Sequence, residues 1–323
     1  MLPAATRPYL VSPTLLPGMQ LLARVRFGMN QPVSDEPGYV AVALPVLSGP
    51  ADEYWLSHTP VRRGWQDGLG YAENGSVLFG HLHLPEEELQ RIGLERAVFH
   101  AYAHINHLLH GRGYPHWLRM WNFLAQITGG RGEAERYRLF NAGRSKALEL
   151  KHEFERQLPA ATAIGTPEGG LVIYFVGAAQ TAGVQVENPR QISAFQYPRQ
   201  YGIRSPSFSR ATRVEWPDAS DLLVSGTASV VGHESRHEGD VLAQLQETLI
   251  NVEHLQAEAA RQRGAANKAY QPQSLRLYLR DPSALPLLLP PLQARFGGVP
   301  LTCLLGEICR KDLALELEGV FSA

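Results

Sequence analysis

The stretch LLVSGTASVVGHESRHEGDVLAQLQETLINVEHL, Leu222 to Leu255, decides how the rest of the chain reads. Its first part, Leu222 to Val231, is rich in β-branched and small residues and predicts a strand. Gly226, Ala228 and the short hydroxyls of Ser225, Thr227 and Ser229 leave one face of that strand nearly bare, so another group can approach its backbone closely. Gly232 to Asp240 carries His233, Glu234, Arg236, His237 and Glu238, which is loop chemistry. Asp240 stands where a helix N-cap belongs. Beyond it Val241, Leu242, Leu245, Leu249, Val252 and Leu255 recur at helical spacing, so that helix buries one face.

Working outward, 323 residues favour two domains over one core. Leu158 to Gly170 (LPAATAIGTPEGG) is small, Pro- and Gly-rich and almost uncharged, and reads as the linker. The expected division is an N-terminal α+β domain over 1–160 and a second domain over 170–323. In the first, Tyr39 to Leu44 and Val77 to Leu82 predict strands. A helix starts at Leu84-Pro85-Glu86-Glu87, and His100 to His110 keeps helical register. Trp117 to Ile127 and Glu133 to Gln157 read as two further helices. In the second, Leu171 to Val176 predicts a buried strand and Val186 to Ser209 a long polar loop. Leu275 to Leu279, Val299 to Leu305 and Asp312 to Val320 predict strands, with a proline-distorted helix from Asp281 to Phe296.

Composition narrows the function. A net charge of −1 gives no reason to expect nucleic acid or an anionic membrane as partner. The two cysteines, Cys303 and Cys309, are no disulfide framework and suit a reducing cytoplasm. The opening MLPAATRPYLVSP has no apolar export region, and Leu285 to Leu292 is too short to span a bilayer. His104, His107 and His110 follow one another on a helix but drift around it by about 60° at each three-residue step, which speaks against a metal site. No P-loop or dinucleotide fingerprint occurs. No cofactor is expected.

The last strand alternates Leu313, Leu315 and Leu317 with Ala314, Glu316 and Glu318. Its carboxylates form either a solvated sheet face or a general acid whose pKa is raised by burial and a like-charged neighbour. Arg190, Arg199, Arg204, Arg210 and Arg213, with Tyr197 and Tyr201 interleaved, form either a solvated loop or a grip for a dicarboxylate. Cys309 is either a small buried hydrophobe or a site residue.

Ser225-Gly226-Thr227, Gly239-Asp240, Leu249, Asn251, Leu255 and the closing Leu315 to Glu318 resemble the Rid (YjgF-like) fold. SGTASVVGHES, ICRKDLALELEG, Tyr197 to Gly202 and Ser207 to Ala211 resemble the chorismatases. GYPHWLRMWNFLAQI and RYRLFNAGR extend the likeness into the N-terminal half. The resemblance implies an α+β fold whose second domain is a mixed sheet packed on two helices. It implies chorismate as substrate, lost pyruvate, and Glu316 as proton donor. Arg210, Tyr201, Tyr197, Arg204 and Arg295 would bind substrate. Two branches exist. A hydrolysing branch has alanine at two site positions and makes a dihydroxycyclohexadiene carboxylate. A benzoate-forming branch has glycine and cysteine there and makes 3-hydroxybenzoate, sometimes with 4-hydroxybenzoate. This chain carries Gly226 and Cys309, which points to the second. Imine deaminases and ligand-binding modules share the Rid fold and stay open as another class. Rid proteins form trimers with sites between subunits, so the N-terminal half here would take the place of a partner.

Overall fold

The computed structural model describes residues 7–29, 31, 35–150, 153–264 and 269–323. Residues 1–6 of the opening segment and 151–152 of the third expected helix lie outside them.

Two seven-stranded sheets, each covered by helices on one side, stack with their other sides facing. The first sheet runs in the order Glu307–Ile308, Ala160–Thr166, His116–Ala125, Leu171–Ala178, Val77–Leu84, Leu69–Glu73, Arg62–Gln66. Helices Leu94–Gly111 and Arg136–Leu148 cover its outer face, where Val98, Tyr102, Ile105 and Phe140 meet Met120, Leu124, Ile173 and Phe175. The second runs Val184–Val186, Ala211–Trp216, Ala219–Thr227, Leu315–Ser322, Gln271–Leu279, Leu301–Leu305, Val46–Ser48. Helices Val241–Gln262 and Leu285–Phe296 cover it through Leu245, Val252, Leu255, Leu288 and Leu292 against Leu222, Val224, Leu277, Leu315 and Leu317. The fold class is α+β, and this second unit is a mixed sheet packed on two helices. A smaller sheet of Leu10–Ser12, Asp52–Ser57, Gln20–Phe27 and Tyr39–Val42 contributes Val25, Phe27, Val42 and Trp55 to the core between the large sheets.

The central stretch folds largely as its sequence predicts. Asp240 accepts a hydrogen bond from the Ala243 N–H at 3.0 Å and caps the helix that follows. The strand is Ala219–Thr227, and the polar loop folds back as a small hairpin of Val230–Val231 and Glu234–Ser235.

Three expectations change. Trp117 to Ile127 is not a helix but the strand His116–Ala125. Both faces of that strand are covered, with Met120 and Leu124 toward the helices and Trp121 and Phe123 toward the other sheet. A strand buried on both faces loses its period-two signature and reads as one apolar run. The supposed linker contains the strand Ala160–Thr166. Its residues are small because the second sheet presses on it: Ala160 N–H donates to Thr212 Oγ1 (2.7 Å) and Ala161 N–H to Ser225 Oγ (2.9 Å). Leu171–Ala178, expected to open the second domain, pairs with Val77–Leu84 and His116–Ala125 instead. Sheet membership therefore carries the N-terminal unit to Ala178, past the expected boundary. The units also exchange edge strands, Val46–Ser48 one way and Glu307–Ile308 the other.

Candidate active site

The slim strand creates the site by what it lacks. Pairing between Ala219–Thr227 and Leu315–Ser322 slips between Val224 and Thr227, at Ser225-Gly226. A Cβ built on Gly226 would overlap the Glu316 carboxyl oxygen, so the carboxyl lies on bare backbone where any other residue would put a side chain. Glu316 is 5% exposed and Glu318 3%, so the solvated-face reading falls. Leu315 and Leu317 pack toward the helices as expected, whereas Leu313, ahead of the strand, packs in the inter-sheet core.

The two carboxyls have different surroundings. Glu318 accepts from Arg119 Nη2 and Thr162 Oγ1, from Arg276 Nη1 at 3.0 Å and from Tyr278 OH at 2.6 Å. Arg276 is shared with Glu53, and Arg119 and Arg276 are themselves buried. Charge in this layer balances between Glu53, Arg276, Glu318 and Arg119. Removing one member of a buried, paired set costs more than the pair itself contributes. Glu318→Gln is expected to destabilise the fold by about 3 kcal/mol, seen as a lower denaturant midpoint. An unchanged midpoint would mean that Arg119 and Arg276 do not depend on that charge.

Glu316 is the odd carboxyl. Burial, followed by the nearby Glu318 charge, pushes its pKa up to about 8, while Arg119 and Arg210 act in the opposite direction. It faces a cavity of about 390 Å³ between the two units. Cys309 lines the same cavity, and burial, then the charge of Glu316, pushes its thiol up to about 12. A thiol shifted that way stays protonated at neutral pH.

Two guanidiniums line the same cavity. Arg210, 7% exposed, donates to Tyr197 OH (2.6 Å) and Ile192 O (2.9 Å) and leaves its Nε without a partner. Arg144, 1% exposed, donates to Asn141 Oδ1 (3.0 Å), and its Nε also has no partner. Neither guanidinium forms an ion pair among the described residues. Two buried guanidiniums with no carboxylate in ion-pair contact, at one cavity, suit a ligand that carries two negative charges, although the part-buried Glu187 carboxyl, which accepts from the Arg210 backbone N–H at 3.2 Å, offsets part of the Arg210 charge. Tyr201 hands its hydroxyl hydrogen to His233 O (2.7 Å), and the Arg310 guanidinium lies 4.0 Å from its ring centre.

Of the residues singled out in the sequence, Glu316, Cys309, Gly226, Arg210, Tyr197 and Tyr201 line this one cavity. Arg204 and Arg295 do not. Arg204 is exposed and pairs with Glu149, and Arg295 sits on the outer helix Leu285–Phe296 against Glu253. Arg190 and Arg213 are likewise engaged elsewhere, with Glu247 and Glu215. Charge density marked the segment but could not say which side chains turn inward. The sequence reading missed Arg144, Tyr137, Thr162 and Arg310. RYRLFNAGR held Arg144 and Tyr137 in plain view, but an amphipathic-helix reading assigns its arginines to solvent. Because Tyr137, Arg144 and Thr162 come from the first unit, the N-terminal half completes the cavity.

Among the described residues no group of three or more His, Cys, Asp or Glu converges as a metal site, and His104, His107 and His110 face solvent. No described helix is long and apolar enough to cross a membrane.

Comparison with known proteins places this geometry. The family profile "Chorismatase FkbO/Hyg5-like, N-terminal" matches residues 53–177. A 3-hydroxybenzoate synthase of Streptomyces hygroscopicus is 34% identical over 296 residues, 88% of this chain and 86% of its own. A chorismatase of Streptomyces rapamycinicus is 34% identical over 275 residues, 83% of this chain and 81% of its own. A chorismatase crystal structure superposes with a TM-score of 0.83 at 28% identity, covering 93% of this chain and 92% of that one.

Proposed function

The chain belongs to the chorismatase family, and we propose that it converts chorismate to 3-hydroxybenzoate and pyruvate with Glu316 as the proton donor. The observation that carries this reading is the pairing of a buried, proton-holding carboxyl with two unpaired guanidiniums across one cavity.

Chorismate is a dianion with an enol ether. Arg144 and Arg210 suit its carboxylates through charge-assisted hydrogen bonds, and Tyr197 holds Arg210 in place. Glu316 then gives its proton to the enol methylene carbon. The ether carbon becomes an oxocarbenium centre, and the ring C–O bond breaks with its electron pair going to the departing pyruvate oxygen. The neighbouring ring hydroxyl oxygen bonds to the carbon that loses pyruvate and gives up its proton, which restores the proton balance. The resulting arene oxide opens at its original C–O bond and aromatises with the oxygen left at the 3-position. Substrate and products contain the same atoms, so the overall conversion is redox-neutral and consumes no water. The cavity walls hold the substrate in reactive geometry and exclude stray water. Both cysteines are free thiols, which favours a reducing, cytoplasmic setting.

Pyruvate release on adding chorismate, followed with lactate dehydrogenase, tests the activity. Chromatography of the aromatic product tests the branch. An imine deaminase or a binding module would release no pyruvate. Arg210→Ala should weaken chorismate binding by roughly tenfold to a hundredfold, the worth of one charge-assisted fork. Calorimetry on a Glu316→Gln background measures this without turnover. An unchanged dissociation constant would remove Arg210 from the binding set.

A further inference from the structure

Thr162 sits in the stretch that reads as a linker, yet its hydroxyl lies where the two sheets meet at the acid. It has three polar neighbours. Arg119 Nη2 donates to it at 2.6 Å, the Gly226 N–H donates at 2.9 Å, and it donates its one hydrogen to Glu318 Oε2. A hydroxyl offers one hydrogen and two lone pairs, so this one is saturated. Although Thr162 lines the cavity, it has nothing left with which to hold a substrate polar group. Its three partners are the floor under the Glu316 carboxyl and the two charges that act on that carboxyl in opposite senses, Glu318 and Arg119.

We infer that Thr162 is a positioning residue for the proton donor, its hydroxyl tying the Gly226 backbone beneath Glu316 to the buried Arg119–Glu318 pair. This rests on the reading of Glu316 as the acid. The groups facing Glu316 are Glu318 on its own strand, Arg119 on His116–Ala125, Tyr278 opposite it on Gln271–Leu279, Arg210, Cys309 and Tyr137. Thr162 touches the first two. Its removal leaves the Glu318 charge with one donor fewer, so that the field opposing ionisation of Glu316 grows. It also leaves the Gly226 N–H without its acceptor, so that the floor beneath the acid is free to shift.

Thr162→Val replaces the hydroxyl by a methyl at nearly constant shape, and Thr162→Ser keeps the hydroxyl. For Thr162→Val, kcat is expected to fall between about tenfold and a hundredfold, the cost of a small misplacement. KM should stay unchanged, because the carboxylate-binding arginines are untouched. The alkaline limb of the kcat profile should move to higher pH. Thr162→Ser should restore both rate and profile. Thr162→Ala, which adds no bulk, gives the same reading if the valine variant does not fold. Wild-type kcat and limb position in the variants without a hydroxyl would overturn the inference. A loss of rate that Thr162→Ser does not restore would overturn it too. Glu316→Gln, run alongside, separates the two levels: an active glutamine variant defeats the assignment of the acid itself, whereas an inactive one beside a normal Thr162→Val defeats only the role of Thr162.

Discussion

Glu316→Gln is expected to lower kcat by roughly 10²–10⁴-fold while the fold and chorismate binding persist. The enol carbon must receive a proton, and water is a poor substitute for a positioned acid. Glutamine keeps the shape of the side chain and removes the transferable proton. The pH dependence follows from the same group. With a pKa near 8, Glu316 holds its proton at neutral pH, so kcat should fall as pH rises through that value. The glutamine variant should lose that limb. Stability gives an independent check. The folded pKa lies above the ordinary carboxyl value of 4.5, so the native state binds more protons than the unfolded chain between pH 4.5 and about 8. Stability from this group is therefore full below pH 4.5 and is lost as pH rises through that window. Glu316→Gln should gain stability relative to the parent above pH 8, measured as a difference in denaturant midpoints. If the glutamine variant turns over normally, the proton comes from another group.

Sequence and structure agree most where local patterning and burial act together. Asp240 and the amphipathic run after it have a local cause, so the capped helix was legible. The Glu316 and Glu318 pattern was legible as a two-residue repeat, but the residue pattern by itself left a solvated face and a general acid both open. Which carboxyl holds a proton depends on Arg119, Thr162 and Arg276, which come from three other strands. The same limit hid Thr162. A run of alanines, threonine and glycine reads as a linker until a second sheet presses on it, and then smallness becomes a packing requirement. Arg144 and Arg204 show the point for charge. Both are arginines near polar residues in the sequence, yet one is 1% exposed with an unpartnered Nε and the other is a surface ion pair.

Gly226→Ala combined with Cys309→Ala should change what the enzyme makes. Each position borders Glu316 at the cavity. A methyl at 226 would occupy the space of the acid's oxygen, and the carboxyl would have to swing away. Loss of the sulfur at 309 opens room beside the same carboxyl. Volume is thus taken up at 226 and released at 309, where a water can enter once the pyruvyl group departs. A methyl-sized change in an apolar pocket shifts discrimination by about 1–3 kcal/mol. The room opened by the pair would shift the ratio of hydrolysed diene diol to hydroxybenzoate by roughly 10–200-fold. The positions share Glu316 as a neighbour, so the single variants should not add up to the double. Gly226→Ala alone should mainly slow turnover, because it moves the acid without making room for water. Cys309→Ala alone should leave the acid in place and leak some diol. Chromatography of products from all three variants decides the matter. A double variant that still makes only hydroxybenzoate would mean that water is excluded by other walls of the cavity, with Tyr137 and Phe208 the next to change.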